Sequence, residues 1–431
     1  MALYYVVLHV WMVIFGEGEV ATHALSLLFA VLTLLVFFRL ERQWLNKSTS
    51  LNGTLLLAAN PLFVFYAIES RSYSFLILSA TISTLIFVRL MRNPGYKLAI
   101  FYGLAIAAGI YIHYFGILLL LVHAMTIRRK QLTRQYFSSF MISALVFLVA
   151  ILPLLLFPPR DNSQITWILK PGLKYLWYTI KELFGGGYSI LILIICLFFI
   201  AQKADWKNIR KEGYVLPALS IAWAVLPVSF VFIFSWMVKP AFLPRFFTWC
   251  LPGAVLLTCL IIINTGWSQF RKAIVWILLI CILLYKSYGI LHTKGSGYPE
   301  AIQWLNSHIQ PGEAVLAYPF YKAMHIAFYL DKLPSPKPYG KPITITKQPY
   351  LPGGGGRDPD PDLETITKIA GGYSRVYIIC RKNEVAVNPD SILNRTWLPR
   401  IQKIIGNNHP HQQEKIFGLG SEESVRIIIF E

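Results

Sequence analysis

Seven apolar runs, at 20–40, 51–69, 72–91, 137–157, 213–236, 246–266 and 273–291, are each long enough to cross about 30 Å of hydrocarbon. An eighth, 187–202, is slightly short. Two more, 98–112 and 115–127, are shorter still and either cross or form a re-entrant pair; both arrangements return the chain to the same side. The expected fold is therefore an α-helical polytopic membrane protein with about ten spans. Composition agrees: the chain is 55% hydrophobic and 14% charged, against about 25% charged in a soluble domain.

A net charge of +19 raises nucleic acid as a partner, but the distribution argues against it. The basic residues fall in every second loop: Arg39, Arg42 and Lys47; Arg89, Arg92 and Lys97; Arg128, Arg129, Lys130 and Arg134; Lys203, Lys207, Arg210 and Lys211; Arg271 and Lys272. That is the positive-inside pattern, so these charges orient the chain. The alternate loops then face outward, with residue 1 and everything after about 292. They hold Glu69 and Arg71, His113 and Tyr114, Arg160 and Asp161, and Lys239 and Arg245. The unusual polar residues near span ends thus gather on one face.

The stretch Asn60–Tyr73 sets a carboxylate, a guanidinium and a phenol between two apolar runs. A charge at mid-membrane costs roughly 2.5–3.5 kcal/mol on insertion scales, so such groups face a cavity or a partner. Glu69 can act as a general base, as a ligand for a divalent metal ion, or as the partner of a cation; no cofactor follows from the residues. Its plain alternative is an internal ion pair with Arg71. Guanidinium groups at Arg71 and Arg245 suit phosphate, since each offers a rigid fork of donors. Snorkelling from a membrane end, as Lys239 can do, is the plain alternative for Arg245. Pro240 and Pro244 stiffen its loop. His113 and Tyr114 alone read as interfacial residues. Together, two arginines, one acid and a His-Tyr pair on the outer face fit a site for an anionic lipid head group.

Residues 1–19 read as an interfacial helix, with Tyr4, Tyr5, His9 and Trp11 before Gly16–Glu19. Residues 20–291 form the transmembrane domain, and 292–431 read as a small soluble α/β domain outside the membrane. Within the latter, Glu300–His308 has helical spacing, while Ala314–Tyr318, Arg375–Cys380 and Val425–Phe430 read as strands. Pro334–Asp362 reads as a loop, and Gly353–Gly356 is not a phosphate loop because no Lys-Ser/Thr follows. The stretch 158–186 reads as a partly ordered loop on the outer leaflet, ending at Gly185-Gly186-Gly187. His409 and His411 read as solvated loop residues rather than metal ligands. Four cysteines lie in spans and Cys380 stands alone, so no disulfide framework follows, and no cleavable signal peptide is evident.

Tyr66–Ser74 resembles the "YSQEARMYS" signature of the GT-C polyprenyl-phosphate-sugar glycosyltransferases, the family of protein mannosyltransferases and aminoarabinose transferases (glycosyltransferase family 39-like). Tyr66, Glu69, Arg71, Tyr73 and Ser74 match, whereas Ala67, Ile68, Ser70 and Ser72 depart. Tyr111–Gly116 resembles "YTHYFG", Pro244-Arg245-Phe246 resembles "PRY", and Leu3–Trp11 resembles "PLYYLLLHLW". The resemblance covers about 1–290. It implies a membrane glycosyltransferase that takes a sugar from a polyprenyl-phosphate donor on the extracytoplasmic face of the plasma membrane. The acceptor is an unknown glycan, lipid or protein, and nucleic acid has no part. On this reading Glu69 is the catalytic candidate, and Arg71, Tyr73, His113, Tyr114 and Arg245 bind substrate. Family members begin with a further helix and an outer loop whose acidic "DE" motif holds the presumed base. The sequence starts past that point, with Met1 near a family proline and His23 in place of a common arginine, so an N-terminal truncation is expected. Two other classes compete: a flippase or transporter of lipid-linked sugar, and a binding-only relic. Transporters tend to place ionisable sites mid-bilayer between internal repeats, and neither feature is visible here.

Overall fold

A computed structural model describes residues 2–127, 133–157, 168, 170–203, 215–293, 297–310, 313–317, 363–381, 397–418 and 424–431. The chain divides into two units, Met1–Arg160 with Ile168–Ile290, and Asp161–Trp167 with Leu291–Glu431. Pro334–Asp362, Gly353–Gly356, Arg160 and Asp161 lie outside the described residues.

The first unit is helical. Its elements are α1 (Ala2–Phe15), α2 (Glu19–Glu41), α3 (Lys47–Ala59), α4 (Pro61–Ala67), α5 (Tyr73–Arg92), α6 (Tyr96–Ile112), α7 (Leu118–Ala124), α8 (Arg134–Leu156), α9 (Leu173–Leu183), α10 (Gly187–Lys203), α11 (Val215–Met237), α12 (Leu251–Ile263) and α13 (Gln269–Thr293). Short 3-10 turns, Tyr114–Ile117 and Pro244–Cys250, precede α7 and α12. Among the described residues, six helices are long and apolar enough to cross a membrane, or eight if α3–α4 and α9–α10 each count as one bent span. Ten is reached only if Tyr96–Ile112 and Tyr114–Ala124 cross as well.

Burial sorts these helices. In α5 and in Pro244–Ile263, 78% of the apolar window is enclosed by protein, whereas α8 and α13 reach 17% and 22%. The first two form the centre of the unit, and the last two present their apolar side chains outward, as a helix facing lipid does. Within the centre lie Phe247, Trp249, Leu251 and Leu256, with Trp223 of α11 in the same cluster, all fully enclosed.

The apolar run 51–69, long enough to cross as one span, is bent in the structure. The helix stops at Ala59 and restarts at Pro61, bent by 63°. Proline lacks an amide hydrogen and its ring clashes with the preceding turn, so it suits a first helical position. Asn60 completes the restart, its Oδ1 accepting the Leu62 N–H (2.9 Å) and the Phe63 N–H (3.4 Å). A correction concerns 158–186, read as a loop. Leu173–Leu183 is an amphipathic helix, and the chain then turns 80° into α10. Gly185 and Gly186 make that turn at φ +77° and +112°, a region only glycine enters freely.

The second unit contains α14 (Tyr298–His308), β1 (Ala314–Ala317), α15 (Leu363–Gly372), β2 (Val376–Arg381), α16 (Trp397–Gly406), β3 (Gln412–Phe417) and β4 (Val425–Phe430). The strands form one sheet in the order β1-β2-β4-β3, with β1 parallel to β2 and the other pairs antiparallel. Ala314, Leu316, Val376, Ile378, Ile428 and Phe430 face one apolar cluster, while Val315, Ala317, Tyr377, Ile379, Ile427 and Ile429 face another. This alternation is the period of a strand buried on both sides. Strand β3 was not expected, because Gln412-Gln413-Glu414-Lys415 is polar; as an edge strand it leaves those side chains exposed. His409 is corrected too. It is buried, and its Nε2 lies 2.9 Å from the Ala370 carbonyl.

Candidate functional site

Three breaks between helices build the site. The first joins α4 to α5. The Arg71 N–H bonds the Glu69 carbonyl (2.7 Å), and the Ser74 hydroxyl donates to the Tyr66 carbonyl (2.5 Å), stapling the two helix ends. The Tyr66 and Tyr73 rings stand 4.6 Å apart. On this turn Arg71 Nε lies 3.1 Å from Glu69 Oε1, with side chains 56% and 22% exposed. An ion pair this open contributes about 0–1 kcal/mol, so a ligand can replace either partner at small cost.

The second break is His113. It ends α6 in an extended conformation (φ −159°), and its Nδ1 accepts the Phe115 N–H at 3.2 Å to start the next turn. Gly116 then presses on Gly109, where an added Cβ would stand 2.7 Å from backbone atoms. Only glycine permits that approach, and it fixes the reversal that presents His113.

The third break follows α11. Ser235 Oγ accepts the Ala241 N–H (3.1 Å), Pro244 opens the 3-10 turn, and Trp223 Nε1 donates to the Trp249 carbonyl (2.8 Å). Arg245 stands at the head of that turn, its guanidinium carbon 5.7 Å from the Phe246 ring centroid.

These breaks meet. The Phe246 ring lies 4.9 Å from His113 and 5.3 Å from Phe115, and Tyr73 lies 6.5 Å from His113. Arg71, Arg245 and Glu69 all act electrostatically on Tyr66 and Tyr73, and Arg245 acts on His113. Helix α1 adds Tyr4, 1% exposed. Burial pushes the Tyr4 phenol above its usual range, with Ser70 and Ser26 beside it pulling the other way; it stays a neutral hydroxyl at pH 7. Five of the six residues singled out in the sequence (Glu69, Arg71, Tyr73, His113 and Arg245) therefore cluster. Tyr114 stands apart, 48% exposed, and among the described residues it makes no ring contact with the group.

The sequence reading had missed Tyr66, Phe246 and Tyr4 as site residues, and Asn60 as the residue that positions the turn. An Asn-Pro pair is a helix-start signal that could have exposed the break inside 51–69. Among the described residues, no group of three His, Cys, Asp or Glu could hold a metal ion.

The chemistry of the cluster is that of an anion site floored by aromatic rings. Two guanidinium groups and one carboxylate leave one net positive charge, next to a neutral phenol and an imidazole.

Residues 2–157 match the family model described as dolichyl-phosphate-mannose-protein mannosyltransferase. The fold resembles the crystal structure of ArnT from Cupriavidus metallidurans bound to undecaprenyl phosphate, with a TM-score of 0.54 and 11% identity over 99% of this chain and 87% of that one. No curated protein sequence gives a significant match. The protein is thus a multi-pass membrane chain with the ArnT-like fold, whose residues 2–157 resemble the mannosyltransferase family model.

Proposed function

We propose that this protein transfers a sugar from a polyprenyl-phosphate donor to an acceptor on the extracytoplasmic face of the plasma membrane. The convergence of Arg71 and Arg245, from breaks more than 170 residues apart, on one aromatic floor carries the reading. A polyprenyl-phosphate sugar is a phosphodiester with one negative charge, which the single net positive charge of the cluster complements. ArnT, whose fold this chain shares, was crystallised with undecaprenyl phosphate.

In the reaction, an acceptor hydroxyl or amine attacks the anomeric carbon, with inversion by analogy with the superfamily. The bond from that carbon to the phosphate oxygen breaks, and its electron pair leaves with the phosphate. Arg71 and Arg245 stabilise the charge that grows there. Glu69 takes the acceptor's proton. Its pairing with Arg71 supports this role: once the phosphate engages Arg71, Glu69 loses its cation and becomes a stronger base. Tyr73 and His113 complete the substrate contacts.

The test is release of undecaprenyl phosphate from an undecaprenyl-phosphate-linked sugar by the protein in nanodiscs, with membrane extract supplying acceptor. Release by the parent chain is expected. A parent chain that neither releases nor binds the lipid phosphate contradicts the proposal. Sidedness is tested by single-cysteine variants at Lys97 and Lys403, expected to label from opposite faces of the membrane. Labelling of both from one face would overturn the extracytoplasmic assignment.

A further inference from the structure

We propose that His113 donates a hydrogen bond from Nε2 to a phosphate oxygen carried by the lipid, which rests on the polyprenyl-phosphate reading above. The argument starts from the tautomer. Nδ1 of His113 accepts the Phe115 N–H at 3.2 Å. A ring nitrogen that accepts cannot also carry a proton, so the imidazole is neutral and its hydrogen sits on Nε2. The backbone thereby fixes His113 as a donor.

Among the described residues that donor has nothing to donate to. Nε2 is buried without a hydrogen-bond partner, in a side chain only 5% exposed. A buried donor left unmatched is costly. Two other histidines show the usual solution. His123 has Tyr102 Oη 2.8 Å from Nδ1 and Thr84 Oγ1 3.1 Å from Nε2, and His409 reaches the Ala370 carbonyl. Both are matched by the protein's own groups, as a structural histidine is.

What surrounds His113 selects the missing partner. Phe115 and Phe246, at 5.4 and 4.9 Å between ring centres, hold the ring and offer no acceptor. Arg245, within electrostatic reach, is donor-only. An unmatched donor held near a cation calls for an anionic oxygen from outside the chain, and charge-assisted bonds to such an oxygen are the stronger kind. A phosphate oxygen satisfies it. His113 thus belongs with Arg245 as a reader of the head group.

Two substitutions separate this role from the capping role. His113→Asn keeps an acceptor for the Phe115 N–H and loses the outer donor; His113→Gln extends an amide N–H to the Nε2 position. The measurement is binding of undecaprenyl phosphate to the purified protein in nanodiscs, with thermal unfolding recorded alongside. His113→Asn should unfold with the parent yet bind at least about tenfold more weakly, and His113→Gln should recover most of that loss. Undecaprenol, which lacks the phosphate, should bind parent and His113→Asn alike. Unchanged affinity in His113→Asn overturns the proposal, as does a Gln variant no better than Asn. An equal loss with undecaprenol would show that His113 reads the prenyl chain and would overturn it too. Inorganic phosphate competing at concentrations equal to the lipid would overturn the assignment to a lipid-borne phosphate. If the parent itself binds no undecaprenyl phosphate, the underlying functional reading fails first.

Discussion

Helix α5 runs from Tyr73 to Arg92, and the two ends of the helical unit that it joins use arginine in opposite ways. At the Arg92 end, the guanidinium spends its donors on the protein. Nη1 reaches Gln43 Oε1 (2.7 Å), Nη2 reaches the Gln43 carbonyl, and the group lies 5.5 Å over Trp44. Neighbouring contacts are of the same kind: Arg42 to the Leu45 carbonyl, Gln135 to the Pro94 carbonyl, Tyr136 to the Met91 carbonyl. These bonds tie down the turns after α2 and α5, where positive charge also complements the helix dipole. At the Tyr73 end, Arg245 stands among Phe246, His113, Tyr66 and Tyr73, and Arg71 makes an open pair with Glu69. The lesson is that arginine near a membrane end carries no function by itself. What counts is the company it keeps: backbone carbonyls at the Arg92 end, aromatic rings and an imidazole around Arg245.

The comparison can be broken in several places. Glu69→Gln is expected to have the largest effect, lowering turnover by about 10²–10⁴-fold, the usual contribution of a general base, with lipid binding largely retained. Turnover within a few-fold of the parent would reduce Glu69 to a partner of Arg71. Next come the guanidinium groups themselves. Arg71→Lys and Arg245→Lys should each recover only part of the affinity lost on alanine substitution, because ammonium cannot reproduce the fork. Full recovery by lysine would mean that charge alone is read. A smaller effect is expected at Asn60. Asn60→Ala removes the cap of α4, and with it the bond from Nδ2 to the Leu183 carbonyl (3.2 Å). It should cost about 0.5–2 kcal/mol in stability, the range for a lost helix cap, measured by thermal unfolding in nanodiscs. No change would mean that Pro61 alone sets the break.

Much of this contrast was legible in the sequence. Apolar run length gave the helices, basic alternation separated the two sets of loops, and Glu69, Arg71 and Arg245 stood out together as an acid and two guanidinium groups on one face. Alternating Val, Ile and Tyr revealed β1, β2 and β4. Other features depend on tertiary contacts that run length does not encode. The helix break at Asn60 hides inside an unbroken apolar run, since Asn-Pro changes backbone geometry more than hydropathy. Polar β3 is a strand only because β4 lies beside it. Tyr114 looked equivalent to its neighbour His113, yet one position separates a half-exposed side chain from an enclosed one. The motif around His113 sets it apart from His123, but that its Nε2 is left unmatched lies wholly in which neighbours meet the ring.

The central claim is that the Tyr73 end of the unit, and not the Arg92 end, holds a lipid phosphate. The most direct measurement compares undecaprenyl phosphate affinity for Arg71→Ala, Arg245→Ala and Arg92→Ala in the same nanodiscs. The account predicts losses of about 1.5–3 kcal/mol for the first two, the worth of a hydrogen bond to a charged group, and little change for Arg92→Ala. Equal affinity across all three variants, or a loss confined to Arg92→Ala, would contradict it.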